Sequence, residues 1–135
     1  MSDITFLDSK DASIVYHADK KIVHHTFRQP VAGQAFHFVL ETGVECLKQN
    51  GATKWLSDDR LNSELSAEDT KWATHDWFKL AQDAGWKTWA LIVPHDIFAR
   101  LNLIEHVNYY SSRGIRVMVF TEPDEAIKWL DGINN

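Results

Sequence analysis

The sequence predicts an α/β fold, a β-β-α-β-α-β-α-β-α chain with a mixed, mostly parallel sheet of about five strands. The sheet opens with a hairpin and carries its helices packed on it. Three observations predict this. Short β-branched runs alternate with longer runs of helical period. The stretch "KTWALIVP" is apolar without alternation, as in a parallel strand covered on both faces. No Pro/Gly/Ser-rich linker or internal repeat divides the 135 residues, so one domain spans 1–135, with its core at about 12–131.

The first regular element is "ASIVYHADKKIVHHTF", two β-rich runs around the polar turn "ADKK", which reads as a hairpin from Ala12 to Phe27. Residues before it read as an edge extension or a loose arm. Pro30 and Gly33 then break the chain. Phe36, Val39, Leu40, Gly43, Val44 and Leu47 recur at helical spacing, and Asn50-Gly51 ends that helix. "TKWLS" is a short strand. Ser66 with Asp69 forms a capping pattern, and Ala73, Trp77, Leu80, Ala81 and Ala84 make the buried stripe of a second helix ending at Gly85. After "KTWALIVP", Asp96 caps a third helix whose Ile97, Leu101, Ile104 and Val107 are expected to face inward before Gly114. "IRVMVF" is the last strand. Thr121 with Asp124, and Pro123 at a first-turn position, start a final helix burying Ala126, Ile127, Leu130 and Ile133.

Composition narrows the function classes. Fourteen Lys and Arg against 19 Asp and Glu give a formal charge of −5 with no basic run, so a nucleic-acid partner is not expected. The start "MSDITFLDSKD" lacks a signal-peptide pattern, and the longest apolar run, "WALIV", is too short to span a bilayer. A cytoplasmic protein with no membrane contact is expected. The single cysteine, Cys46, reads as a buried core thiol.

Ligands of open α/β sheets gather outside the carboxyl ends of the strands. Those ends carry Ser57, Asp58, Asp59 and Arg60, then Pro94, His95 and Asp96, then Thr121, Glu122 and Pro123. Asp58, Asp59, Arg60 and His95 are therefore the candidates for a strand-end pocket or partner contact. The bland alternative makes Asp96 and Thr121 helix caps and pairs an aspartate with Arg60. Catalytic residues are not expected, because no Gly-x-Ser-x-Gly elbow is present and the acids lack a receiver-type lysine near the last strand. No cofactor and no metal are expected: there is no Gly-rich phosphate loop, and His24 and His25 are adjacent on a strand and point to opposite faces. His17, His37, His75 and His106 read as surface or boundary residues.

The stretches "AGWKTWALIVPHDIFARL" and "GIRVMVFTEPDEAIKWL", with a hairpin, a helix and three strand–helix units, resemble the STAS superfamily. These are the sulfate transporter and anti-sigma-factor antagonist domains, and the likeness is to their bacterial stand-alone branch, over about Ser13 to Leu130. In regulatory members of that superfamily a serine near the helix after the third strand is phosphorylated within an Asp-Ser-Ser/Ala-Gly setting. Here Asp58-Asp59-Arg60 stands in that place without the glycine, leaving Ser63 and Ser66 as the nearby phosphosite candidates.

Six tryptophans and seven phenylalanines exceed the needs of one core. Phe38 lies opposite its helix's buried stripe, Trp72 and Phe78 flank theirs, and Ala99, Leu103, His106 and Tyr110 form a second stripe on the third helix, so a contact surface or homodimer through Trp72, Phe78, Leu103, Val107 and Tyr110 is expected. The function implied is a non-catalytic STAS-like module acting through a protein partner or itself. The alternatives are a carrier of an apolar small molecule or lipid in a sheet–helix pocket, and a phospho-regulated anti-sigma-factor antagonist.

Overall fold

The computed structural model describes residues 3–134. In chain order the elements are β1 (Ile4–Asp8), β2 (Ala12–His17), β3 (Ile22–Phe27), α1 (Gly33–Gln49), β4 (Lys54–Asp58) and α2 (Ala67–Trp72). A π-helical turn (Ala73–Trp77) leads into α3 (Phe78–Asp83), followed by β5 (Thr88–Ile92), α4 (Ile97–Ser111), β6 (Arg116–Phe120) and α5 (Pro123–Asp131). The fold is α/β as expected, with six strands where about five were expected, because the N-terminal extension forms β1 antiparallel to β2. The hairpin turns at 18–21, where Lys21 takes φ 61° and its amide bonds to the His17 carbonyl at 2.7 Å.

The sheet runs β1-β2-β3-β4-β5-β6, antiparallel at its first two pairings and parallel at the remaining three. When spatial order equals chain order, right-handed crossovers put every connecting helix on the same face. The packing agrees. Side chains from α1, α3, α4 and the π-turn meet alternate residues of the sheet in one large core that includes Val23, Trp55, Trp89 and Leu91. The intervening residues Ile22, Leu56, Ala90 and Ile92 face the other way and are covered by Ala126 and Leu130 of α5. β4 and β5 are thus covered on both faces, which explains the unbroken apolar run of "WALI". Cys46 is fully buried, and burial pushes its thiol up to about 12, which makes it inert.

Four local expectations are corrected. On α4 the inward stripe is Ala99, Leu103, His106 and Tyr110, while Ile97, Leu101 and Ile104 are 51–65% exposed. His106, read as a boundary residue, is 2% exposed. In the second helical segment the buried set is Ala73, Thr74, Trp77, Phe78 and Ala81, and Leu80 lies outside. The physical reason is the π-turn: one extra residue in a turn rotates everything after it, so a stripe extrapolated at 3.6 residues per turn goes out of phase. At α5 the residue before the helix is Glu122 and its side chain makes no capping bond, so Thr121 is not the cap. No helix of the described residues is long and apolar enough to cross a membrane.

Candidate functional site

Side chains alternate across a strand and its extension, and this splits the expected strand-end cluster. Ser57 and Asp59 point toward the helix layer, whereas Asp58 turns to the opposite side and holds Arg60. That pair is bidentate, Nε to Oδ1 at 2.9 Å and Nη2 to Oδ2 at 2.8 Å, with Glu122 3.8 Å from Nη1. His95 is exposed, and among the described residues only its backbone amide bonds, to the Arg60 carbonyl at 3.0 Å. The four expected residues therefore do not converge. Asp59 alone enters an interior site, and Asp58 with Arg60 forms a structural clasp at the end of β4.

Asp59 lines a cavity of about 40 Å³ between the sheet and the helix layer. Its floor is the sheet, through His25, Trp55, Ser57 and Trp89, and its walls are Trp77, Trp86, Leu103, His106 and Tyr110 from the helical side. The loop after β4 borders the mouth with Asn62, Ser63 and Leu65 beside Pro94. That loop is stitched down: the Asn62 amide bonds to the Asp59 carbonyl at 3.0 Å, Asn62 Oδ1 accepts the Val31 amide at 3.0 Å, and the Leu65 amide reaches Asn102 Oδ1 at 3.3 Å. The π-turn shapes the far wall. Ala73 and Trp77 both line the cavity, and the Ala73 carbonyl accepts the Tyr110 hydroxyl at 2.9 Å. Burial raises the Tyr110 phenol above its usual range, so the hydroxyl remains a donor to that carbonyl.

The polar part of the site is buried. His25, 3% exposed, places Nε2 2.8 Å from Asp59 Oδ1, and its Nδ1 receives the Trp55 indole N–H at 2.9 Å. An indole only donates, so Nδ1 must be the acceptor and the proton sits on Nε2, pointing at the carboxylate. Both imidazole nitrogens are engaged, and His25 is neutral in this arrangement. Opposite, His106 Nδ1 lies 3.3 Å from the Asn102 carbonyl and can only donate to it, which in the neutral ring leaves Nε2 as an unprotonated acceptor. That Nε2 is buried and has no hydrogen-bond partner among the described residues. Burial holds the His106 pKa below the ordinary imidazole value, keeping the lone pair free at neutral pH.

The remaining expected residues sit elsewhere. Ser66 caps α2, accepting the Asp69 amide at 3.1 Å, and Ser63 is exposed at the cavity mouth. Phe78, Leu103 and Tyr110 are buried and Val107 packs against the core, so none of them offers the free contact surface expected of it. Trp72 is half-buried and stacks on His37 with ring centroids 3.8 Å apart. His37 in turn meets Asp69 Oδ1 at 3.1 Å, while Asp69 Oδ2 accepts the Gly33 amide at the start of α1. Sequence reasoning missed His25, Asn62 and His106 as site residues. His25 carried a signal, since it is in phase with Val23 and Phe27 on the inward face of β3. His106 carried one too, standing in the stripe that turned out to be the buried one.

On the sheet's other face His17 Nε2 and His24 Nδ1 are 2.9 Å apart, and His17 Nδ1 meets Asp3 at 3.1 Å. Burial, and next the neighbouring His17 and His25, pull the His24 pKa down from 6.5 to about 4. The unfolded chain then takes up this proton first as pH falls. Stability is fully present above about 6.5, is lost between 6.5 and 4, and is flat below. Partial exposure reduces the expected loss to about 2 kcal/mol. Urea unfolding at pH 7.5 and pH 4.5 should show that pH-dependent loss shrinking by about this amount in His24→Val; an unchanged loss would remove His24 as its source.

No family model, curated protein or solved structure matches the chain.

Proposed function

We infer that the protein is a non-catalytic, small-molecule-binding module of STAS-like architecture, with the ligand held in the aromatic cavity between sheet and helices. The observation that carries this reading is the cavity itself, which combines a mostly apolar aromatic lining with a buried carboxylate and a buried imidazole nitrogen lacking a partner. Close-packed interiors seldom leave a polar atom bare, and each such atom marks an unfilled role. Binding is favoured over chemistry because both His25 nitrogens are occupied and Ser57 Oγ is engaged by the Trp89 indole at 2.8 Å. The STAS-like part of the proposal is supported by the leading hairpin, the sequential strand order and the terminal helix alone on the second face.

Linear alcohols from methanol to 1-butanol, titrated while following tryptophan emission, test the binding reading. A saturable change that reaches a chain-length limit is expected, and it should vanish in Ala73→Leu, whose larger side chain fills the cavity. A linear, unsaturable response in both proteins would sink it.

A second reading, contact with a protein partner or with a second copy, is favoured by Ile97, Phe98, Leu101 and Ile104, which leave one side of α4 apolar and 51–66% exposed. Sedimentation at micromolar concentration would show association that Leu101→Asp abolishes; a strict monomer would exclude self-association. A phospho-regulated role finds its accessible serine in Ser63, at the cavity mouth.

A further inference from the structure

Resting on the binding reading above, we propose that the cavity selects a cationic head group, a small alkylammonium, held between Asp59 and His106. Three separate features lead there.

The first is an uncompensated charge. Asp59 is 6% exposed, and its sole ion-pair partner among the described residues is His25. The Trp55 N–H on His25 Nδ1 forbids a proton at that nitrogen, so His25 gives the carboxylate a hydrogen bond and no positive charge. Among the described residues no lysine or arginine lines the cavity, and Arg60, next in sequence, is held by Asp58 on the opposite side. A buried carboxylate without a cation is costly, and a ligand that brings the cation removes the cost.

The second is the bare acceptor. His106 lines the same cavity, and its Nε2 is buried and has no donor among the described residues. An ammonium carries three donors and no acceptor, so it satisfies a carboxylate oxygen and an imidazole nitrogen together, which an anion cannot do.

The third is the orientation of the aromatic rings. Every indole N–H in the lining is spent on the protein: Trp55 on His25, Trp77 on the Leu40 carbonyl, Trp86 on the Thr88 carbonyl and Trp89 on Ser57, at 2.8–3.1 Å. The rings therefore offer the cavity carbon and π surface only, a lining that attracts cations and gives an anion nothing to accept from. The neutral donors left are the Ser57 hydroxyl and the Asn62 amide, whose Oδ1 already takes the Val31 N–H. The volume of about 40 Å³ is room for about three water-sized groups, which suits an ammonium with its first carbons, the remainder leaving past Ser63 and Leu65.

The test uses the cavity's own reporters, the indole N–H resonances in ¹H–¹⁵N spectra of the full chain, titrated at pH 7 with propylamine, 1-propanol and propionate. Propylammonium is expected to shift these resonances saturably with a Kd at least about tenfold below that of 1-propanol, and propionate to shift none. In Asp59→Asn the preference for the amine over the alcohol should fall to within about twofold, while alcohol binding persists. Should that variant fail to fold, the wild-type series still decides. Alcohol binding as tight as or tighter than amine binding, or binding of propionate, would overturn the cationic assignment and leave the binding reading standing. Silence toward all three would overturn both.

Discussion

Gly43→Ala should lower the unfolding free energy by about 3 kcal/mol, measured as a drop in urea midpoint with an unchanged m-value. The sign is the informative part. In the interior of an ordinary helix this exchange stabilises by up to about 1 kcal/mol, because alanine loses less conformational freedom on folding. Here a Cβ at position 43 would overlap the benzo ring of Trp55. Neither side has room to give. Trp55 is held by its N–H bond to His25 and packs edge-on against Trp77, with centroids 5.4 Å apart, and beside Trp86. Overpacking of this kind costs about 1–3 kcal/mol, and the helix cannot retreat without opening the core shared by Leu40, Val44 and Leu47. Trp55→Phe creates the missing space, so the double variant should be less destabilised than the sum of the singles. A stabilised Gly43→Ala protein would mean that α1 does not rest on the Trp55 ring. The substitution should also weaken cavity binding, since displacing Trp55 removes the hydrogen bond that fixes the His25 tautomer.

The elements themselves were legible because each depends on local signals. The hairpin, "KTWALIVP", the Asn50-Gly51 stop, and the Ser66 and Asp96 caps all appear where the residues placed them, Ser66 and Asp96 with capping bonds to backbone amides. The site was less legible, for two reasons. Adjacent residues at a strand end look like one cluster in sequence yet point to opposite faces, so Asp58 and Arg60 were grouped with Asp59 although the sheet separates them. The hydrogen-bond partner of Asp59 comes from β3, at a sequence separation of 34 residues for His25, and its cavity neighbours Leu103, His106 and Tyr110 come from α4, so the site depends on tertiary packing. The π-turn left no mark in residue type: "ATHDW" reads as plain helix, and the phase change it introduces shows only in which later side chains are buried. Past that turn Phe78 is buried and Leu80 exposed, the reverse of the expected stripe.

α4 gives the sharpest expected contrast, because its two apolar stripes exchange the roles that hydrophobicity assigns them. Leu103→Asp should cost about 4 kcal/mol or more, while Leu101→Asp, two residues away, should change stability by less than about 0.5 kcal/mol. Counting apolar residues favours the opposite outcome, since Ile97, Leu101 and Ile104 are all large and aliphatic whereas the competing stripe contains an alanine, a histidine and a tyrosine. Geometry decides otherwise. Ala99 is 1% exposed, its small side chain allowing close approach to the layer beneath, and Tyr110 reaches the Ala73 carbonyl and packs among Trp77, Trp86 and Trp89. A helix anchored through those contacts cannot rotate to hide its aliphatic side without breaking them. A carboxylate at 103 would enter the cavity lining beside Asp59, adding a second buried acid where no cation waits. At 101 it would meet solvent, leaving the fold intact and removing the centre of the exposed aliphatic stripe. Thermal or urea unfolding of the two variants side by side gives the answer. Equal losses would mean that α4 packs by its aliphatic face, and the cavity with its bare His106 nitrogen would then not exist in the form described.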